Sequence, residues 1–239
     1  MLFRSDVRCT CEITPDNWKA MREARDASEV GMPCGTASQQ LIDRIHQAKV
    51  EKDTVGGLVE AHVFGCPIGL GTCVQWNERL DSRLAAAVMG IQAFKAVEIG
   101  LGRECAFRTG SQVHDPIAYD PAQRHQPHLG FTRTTNNAGG LEGGMTNGMP
   151  VVVTGTMKPI STLLRGMPSV DLNTKQPVTS AYERSDISAI AAASVVLENV
   201  VAFEIARAFL EKFGGDSMTQ LRASHAAFMD MARRLPLQG

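Results

Sequence analysis

Apolar residues recur at helical spacing in three long stretches of the chain and alternate with polar ones in several short stretches. After Thr36 and Ser38, either of which can cap a helix, Leu41, Ile42, Ile45 and Ala48 mark one apolar face, and the charged run 49–53 ends it. Residues 80–94 predict a second helix, with Leu84, Val88, Met89 and Ile91 on its face and Ala85, Ala86 and Ala87 small enough for close packing. The longest helix is expected over 189–213. Leu197, Val201, Ile205, Ala208 and Phe209 form its stripe, whereas Glu198, Glu204, Arg207 and Glu211 lie away from it. Gly214-Gly215 is a stop signal, and 216–234 reads as a further, exposed helix.

Strand signals fall between these helices. Over 55–64, Val55, Val59, Ala61 and Val63 share one face and Glu60 and His62 the other, and Gly56-Gly57 suggests a bulge or a close backbone approach. Further short strands are expected at 95–100, 151–157 and 169–172. Residues 16–25 have helical composition but a weak apolar face, Trp18 and Met21, and 32–35 break whatever precedes them. Residues 110–120 are turn-rich and 124–133 irregular. Strands and helices interleave without a regular βα alternation, which predicts an α+β fold over doubly wound α/β. The expected organisation is an N-terminal segment without a readable pattern, 1–35, and a single domain over 36–239.

Composition narrows the function classes. In 239 residues, 44% are hydrophobic and 21% charged, the balance of a chain that buries a real core. A net charge of −1 and 5% aromatics supply neither the basic surface nor the stacking platforms of a nucleic-acid or membrane binder. No apolar run approaches the roughly 18 residues of a membrane span and no signal-peptide pattern opens the chain, so the cytoplasm is the expected location. The six cysteines include no C-x-x-C pair and are expected to be reduced, several of them as small buried hydrophobes. Cys9-x-Cys11 can in principle hold a metal, but the histidines form no partner cluster and no metal site is expected.

The stretch that carries candidate chemistry is 134–150, TTNNAGGLEGGMTNGMP, with two Gly-Gly pairs and Gly148 among three asparagines. It reads either as tight turns or as a loop that brings backbone N–H groups to a phosphate. The second reading gains from the residues just beyond it: a β-rich run and then Lys158, Pro159, Ile160, Ser161 and Thr162, a point charge with hydroxyls after it. Neither Walker nor Rossmann spacing is present. Arg184-Ser185-Asp186 precedes the longest helix. Ser185 or Asp186 can serve there as an N-cap, or the arginine and carboxylate can bind an anionic substrate and move a proton. His114-Asp115 is no catalytic dyad by sequence, because adjacent side chains usually point apart.

From about residue 30 to 235 the chain resembles chorismate synthase. The blocks DTVGGLVEAHVFGCPIGLG (53–71), LDSRLAAAVMGIQAFKAVEIG (80–100), GSQVHD (110–115), the glycine stretch, MKPISTL (157–163), ERSD (183–186) and FLEKFGGDS (209–217) occur in the family's order. The resemblance implies an α+β fold with long helices sandwiched between antiparallel sheets, assembled as a homotetramer. It implies a lyase that converts 5-enolpyruvylshikimate 3-phosphate to chorismate by 1,4-anti-elimination of phosphate, with reduced FMN required and NADP associated with it. Gln92 and Ala93 match the family's flavin-contacting pair, Gly143 its loop glycine, and Lys158, Pro159, Ile160, Ser161 and Thr162 its FMN-binding run. Arg184 matches the arginine at the flavin and substrate face, and Asp186 the carboxylate to which the family's proton relay is ascribed. The family's Ser-His-Gly segment and its substrate-gripping arginines are not recognisable in residues 1–36, so the chain is expected to correspond to the C-terminal part of the family's chain. No catalytic role passes to His46, His62, His114, His125, His128 or His225. The competing expectation is a non-catalytic chain that only forms oligomers or binds flavin.

Overall fold

Periodicity becomes structure where one face of a stretch can be buried. The computed structural model describes residues 2–3, 7, 9, 11–181, 183 and 186–234. In chain order these form β1 (Leu2–Phe3), α1 (Trp18–Ala27), α2 (Gly35–Val50), β2 (Gly57–Val63), α3 (Leu80–Met89) and β3 (Phe94–Ile99). Next come α4 (Gly110–Val113), β4 (Ile117–Tyr119), β5 (Phe131–Arg133), β6 (Leu141–Glu142), β7 (Met145–Thr146) and β8 (Val151–Met157). The chain ends with β9 (Pro168–Val170), β10 (Pro177–Thr179), α5 (Ile190–Phe213) and α6 (Met218–Ala232). One sheet has the order β1-β2-β8-β3, with β1 antiparallel to β2, and three antiparallel two-stranded ladders pair β4 with β5, β6 with β7 and β9 with β10. Helices mixed with antiparallel sheet make the fold α+β, as its sequence predicts. No helix among the described residues is long and apolar enough to cross a membrane.

The chain divides into two compact units. The first comprises Met1–Glu60, Gln92–Ala96 and Gly155–Val196. Its buried side chains include Met32, Leu41, Ala48, Val59 and Phe94. The second comprises Ala61–Ile91, Val97–Thr154 and Leu197–Gly239, with Leu70, Leu80, Leu84, Val88, Val151, Val153 and Leu197 fully buried. In that unit Leu129, Met229 and Ala232 form a small cluster of their own, and Phe213 meets His225 and Phe228 edge-on.

Three differences from the sequence reading have physical causes. The second helix stops at Met89 because Gly90 ends it, so Gln92 and Ala93 lie in the turn before β3 rather than on the helix. Residues 110–120 and 124–133, read as turns, contain a ladder in which Ile117 faces Arg133 and Tyr119 faces Phe131. Its strands are three residues each and β4 is exposed throughout, so no alternation marks them. Glu204, placed among the outward residues of α5, is buried because Arg83 reaches it at 3.2 Å and Arg207 at 2.9 Å.

Candidate functional site

In the first unit a short segment, 53–56, gathers the predicted residues. The Asp53 carboxylate accepts from the Thr54 amide at 2.8 Å and pairs with Arg165 at 2.9 Å. The Thr54 hydroxyl, itself buried, donates to the Ile160 carbonyl at 2.6 Å. The Val55 amide donates to the Ile187 carbonyl at 2.9 Å, next to Asp186. Gly56 lies so close to the run after β8 that an added Cβ would stand 2.5 Å from the Met157 oxygen and 2.7 Å from the Pro159 nitrogen. This is the close approach that Gly56-Gly57 suggests in sequence. The Lys158 amide in turn donates to the Ala93 carbonyl at 2.9 Å. Two backbone bonds and the Thr54 hydroxyl therefore link Ala93, the 158–162 run, residues 54–55 and Ile187 within one unit.

The groups so held face outward. Gln92, Lys158, Pro159, Ser161 and Asp186 are exposed, and Ala93, Ile160 and Thr162 are half-buried. Ala93 takes φ 70°, the left-handed region that costs a side-chain-bearing residue on the order of 1–2 kcal/mol and persists only where neighbours fix it. The neighbour here is Lys158, through its amide. Capping does not account for Asp186. Helix α5 begins at Ile190, whose amide is met by the Ser188 hydroxyl at 3.4 Å. Arg184 and Ser185 lie outside the described residues. The exposed ammonium of Lys158, the hydroxyl of Ser161 and the side-chain amide of Gln92 are donors of the kind that a phosphate and a polyol chain accept.

In the second unit the glycine stretch has a different use from the one its composition suggests. Gly139 (φ 61°) packs against the backbone of Gly100, where a Cβ would collide. The loop amides of Asn137 and Ala138 are already taken, donating to the Asp115 carboxylate at 2.8 and 2.9 Å, and the Thr135 hydroxyl adds a third bond at 2.5 Å. Partial burial works against this carboxylate's ionisation. The Thr135 hydroxyl and the amides of Ala138 and Asn137 outweigh it and hold its pKa below the usual carboxylate range. The anion cradled by this part of the loop is thus the chain's own. Gly143 is the exception: exposed at the β6–β7 turn with φ 59°, it has no atom within 4 Å of where its Cβ would be, so that side is open.

Two groupings are invisible in the sequence. A cavity of about 300 Å³ in the second unit is lined by His125, His225, Asp230 and Arg233, and its Arg233 and Asp230 pair with each other at 2.7 Å. In the first unit the sulfurs of Cys9, Cys11 and Cys34 lie within 4.8 Å of one another. Cys34 stands 23 residues beyond the Cys9-x-Cys11 pair, and α1 with the loop after it returns it there.

A family model described as chorismate synthase matches residues 5–210, so the match takes in most of the N-terminal stretch that periodicity leaves unread. The chain is 51% identical over 214 residues to a chorismate synthase of Geobacter metallireducens, covering 89% of this chain and 54% of that protein. It is 49% identical over 222 residues to chorismate synthase 1 of Bacillus cereus, covering 93% and 55%. A crystal structure of chorismate synthase superposes with a TM-score of 0.76 at 36% identity, over 92% of this chain and 56% of that one. The chain spans about half the length of the curated relatives it matches.

Proposed function

Because this chain belongs to the chorismate synthase family, we propose that it carries the flavin-binding and proton-relaying part of that enzyme's site. The reaction is the 1,4-elimination of phosphate from 5-enolpyruvylshikimate 3-phosphate, in which the C–O bond to phosphate and a C6–H bond break and a double bond forms, with no net redox change. The observation that carries the reading is the convergence of the 158–162 run and Ile187 on residues 53–56, with Ala93 tied to the run through the Lys158 amide. Reduced FMN, when bound, supplies transient electron density and a proton acceptor. Lys158 offers the charge for its phosphate, and Ser161 and Gln92 offer donors to its polyol and ring oxygens. Asp186, exposed beside the pinned Ile187 carbonyl, is the carboxylate that receives and passes on the C6 proton. Arg184 is assigned to the anion-binding side from the family resemblance alone.

Anaerobic turnover tests this directly. With reduced FMN and 5-enolpyruvylshikimate 3-phosphate, chorismate formation abolished by Asp186→Asn supports the assignment. Turnover unchanged by that substitution would remove Asp186 from the reaction.

Helix α5 supports an accompanying role in assembly. It is apolar on several sides and leaves Val195, Val196, Phe203 and Leu210 exposed. Apolar side chains left exposed beside a buried stripe suit a helix that packs against a further chain, and a homotetramer in the cytoplasm is the assembly proposed. A sedimentation mass equal to one chain would count against it.

A further inference from the structure

We propose that Cys9, Cys11 and Cys34 form a three-thiolate site for a thiophilic d10 metal ion of the zinc class. The three sulfurs converge within 4.8 Å, and each belongs to a free cysteine. A disulfide would engage only two of them and leave an odd thiol, whereas one metal ion engages all three. With Zn–S bonds of about 2.3 Å, sulfurs on a tetrahedral ion stand about 3.8 Å apart, so closing the site takes a sulfur movement of about 1 Å or less. Side-chain rotation supplies that without moving backbone.

The local fold prepares the third ligand. Cys34 immediately precedes α2, at a helix N-terminus whose amides favour a negative sulfur. The loop that delivers it is folded around Ser28, whose hydroxyl accepts from the amides of Val30 at 3.3 Å and Met32 at 3.2 Å. Ser28 also bonds the Ser38 hydroxyl in the first turn of α2 at 2.8 Å. On binding, three S–H protons leave to solvent and three S–metal bonds form, with no change of oxidation state. Cys9 is buried while Cys11 and Cys34 are half-buried, which leaves an open side for entry and for water as fourth ligand. Three soft sulfurs select zinc, cadmium or copper(I) over magnesium or calcium.

The test is a titration of the full chain, reduced with a phosphine, using Co2+ as the probe and Zn2+ as competitor. One Co2+ per chain is expected to give a thiolate-to-metal charge-transfer band that equimolar Zn2+ abolishes. Cys34→Ser is expected to weaken binding at least tenfold, and the double variant Cys73→Ser/Cys105→Ser to leave it unchanged. Alkylation gives an independent readout on the unmutated chain, which decides the matter if a variant fails to fold. Saturating Zn2+ is expected to slow modification of Cys11 and Cys34 at least tenfold while the exposed Cys73 reacts as before. Absence of the band, its persistence in Cys34→Ser, or undiminished alkylation of Cys11 and Cys34 would each overturn the site.

Discussion

The hydroxyl of Thr54 donates to the carbonyl of Ile160 at 2.6 Å, tying a buried side chain to the middle of the proposed FMN-binding run. Thr54→Val keeps the shape and removes the donor, so the Ile160 carbonyl loses its partner. The expected cost is about 1–3 kcal/mol of stability, accompanied by weaker flavin binding. Urea unfolding and an anaerobic FMN titration on the same variant measure the two effects. A variant that loses neither would show that the run is held in place by other contacts.

Glycines 139 and 143 predict opposite sensitivities. A Cβ at Gly139 enters the Gly100 backbone, which cannot move aside, whereas at Gly143 it meets open space. Gly143→Ala carries only the left-handed strain, on the order of 1–2 kcal/mol. Gly139→Ala carries similar strain and a backbone clash, and is expected to destabilise by about 3 kcal/mol or more. Thermal melts of the two variants should separate clearly, with Gly139→Ala the lower.

Asp115 gives a pH signature. Its carboxyl titrates lower in the folded chain than in the unfolded one, so its contribution is fully present above the unfolded pKa of about 3.9. That contribution is lost as pH falls through the depressed folded value. Asp115→Asn should lower stability at neutral pH and flatten the acid limb of the stability–pH curve. An acid limb of unchanged slope would mean that the carboxylate is not bound to the loop amides in solution.

Arg83 bridges Glu204 and Glu211, and the Arg83–Glu204 pair leaves only 11% and 10% of its side chains exposed. Removing one partner strands a buried charge, so Arg83→Met should cost about 3–5 kcal/mol. Adding Glu204→Gln should recover part of that loss, because the stranded charge goes with it. A double variant as unstable as the sum of the singles would refute coupling between them.

How much of this was legible in the sequence depends on the range of the interactions. Helices α2, α5 and α6 and strands β2 and β8 were readable because each buries one face, and burial imposes a period. The ladder of β4 and β5 was not, being too short to show one. The family blocks pointed to Gln92, Ala93 and the 158–162 run, but nothing in the chain announced that 53–56 would hold that run and Ile187. That depends on a hydroxyl and an amide reaching residues more than a hundred positions away. The glycine stretch misled in a specific way. Glycine permits close approach to any atoms, and the sequence does not say whether those atoms belong to a ligand or, as at Gly139, to the chain itself. Cys34 was hidden for the same reason as Glu204, since its partners are fixed by tertiary return and not by spacing.

Residues 92–93, 158–162 and 186 are the flavin-binding face proposed for this chain. An anaerobic titration of reduced FMN against the chain and its Lys158→Ala variant tests it most directly. Saturable binding of one FMN per chain is expected, weakened about tenfold or more by the loss of the ammonium, since a charged hydrogen bond contributes about 1.5–3 kcal/mol. No saturable binding by the unaltered chain, or equal affinity in the variant, would contradict it.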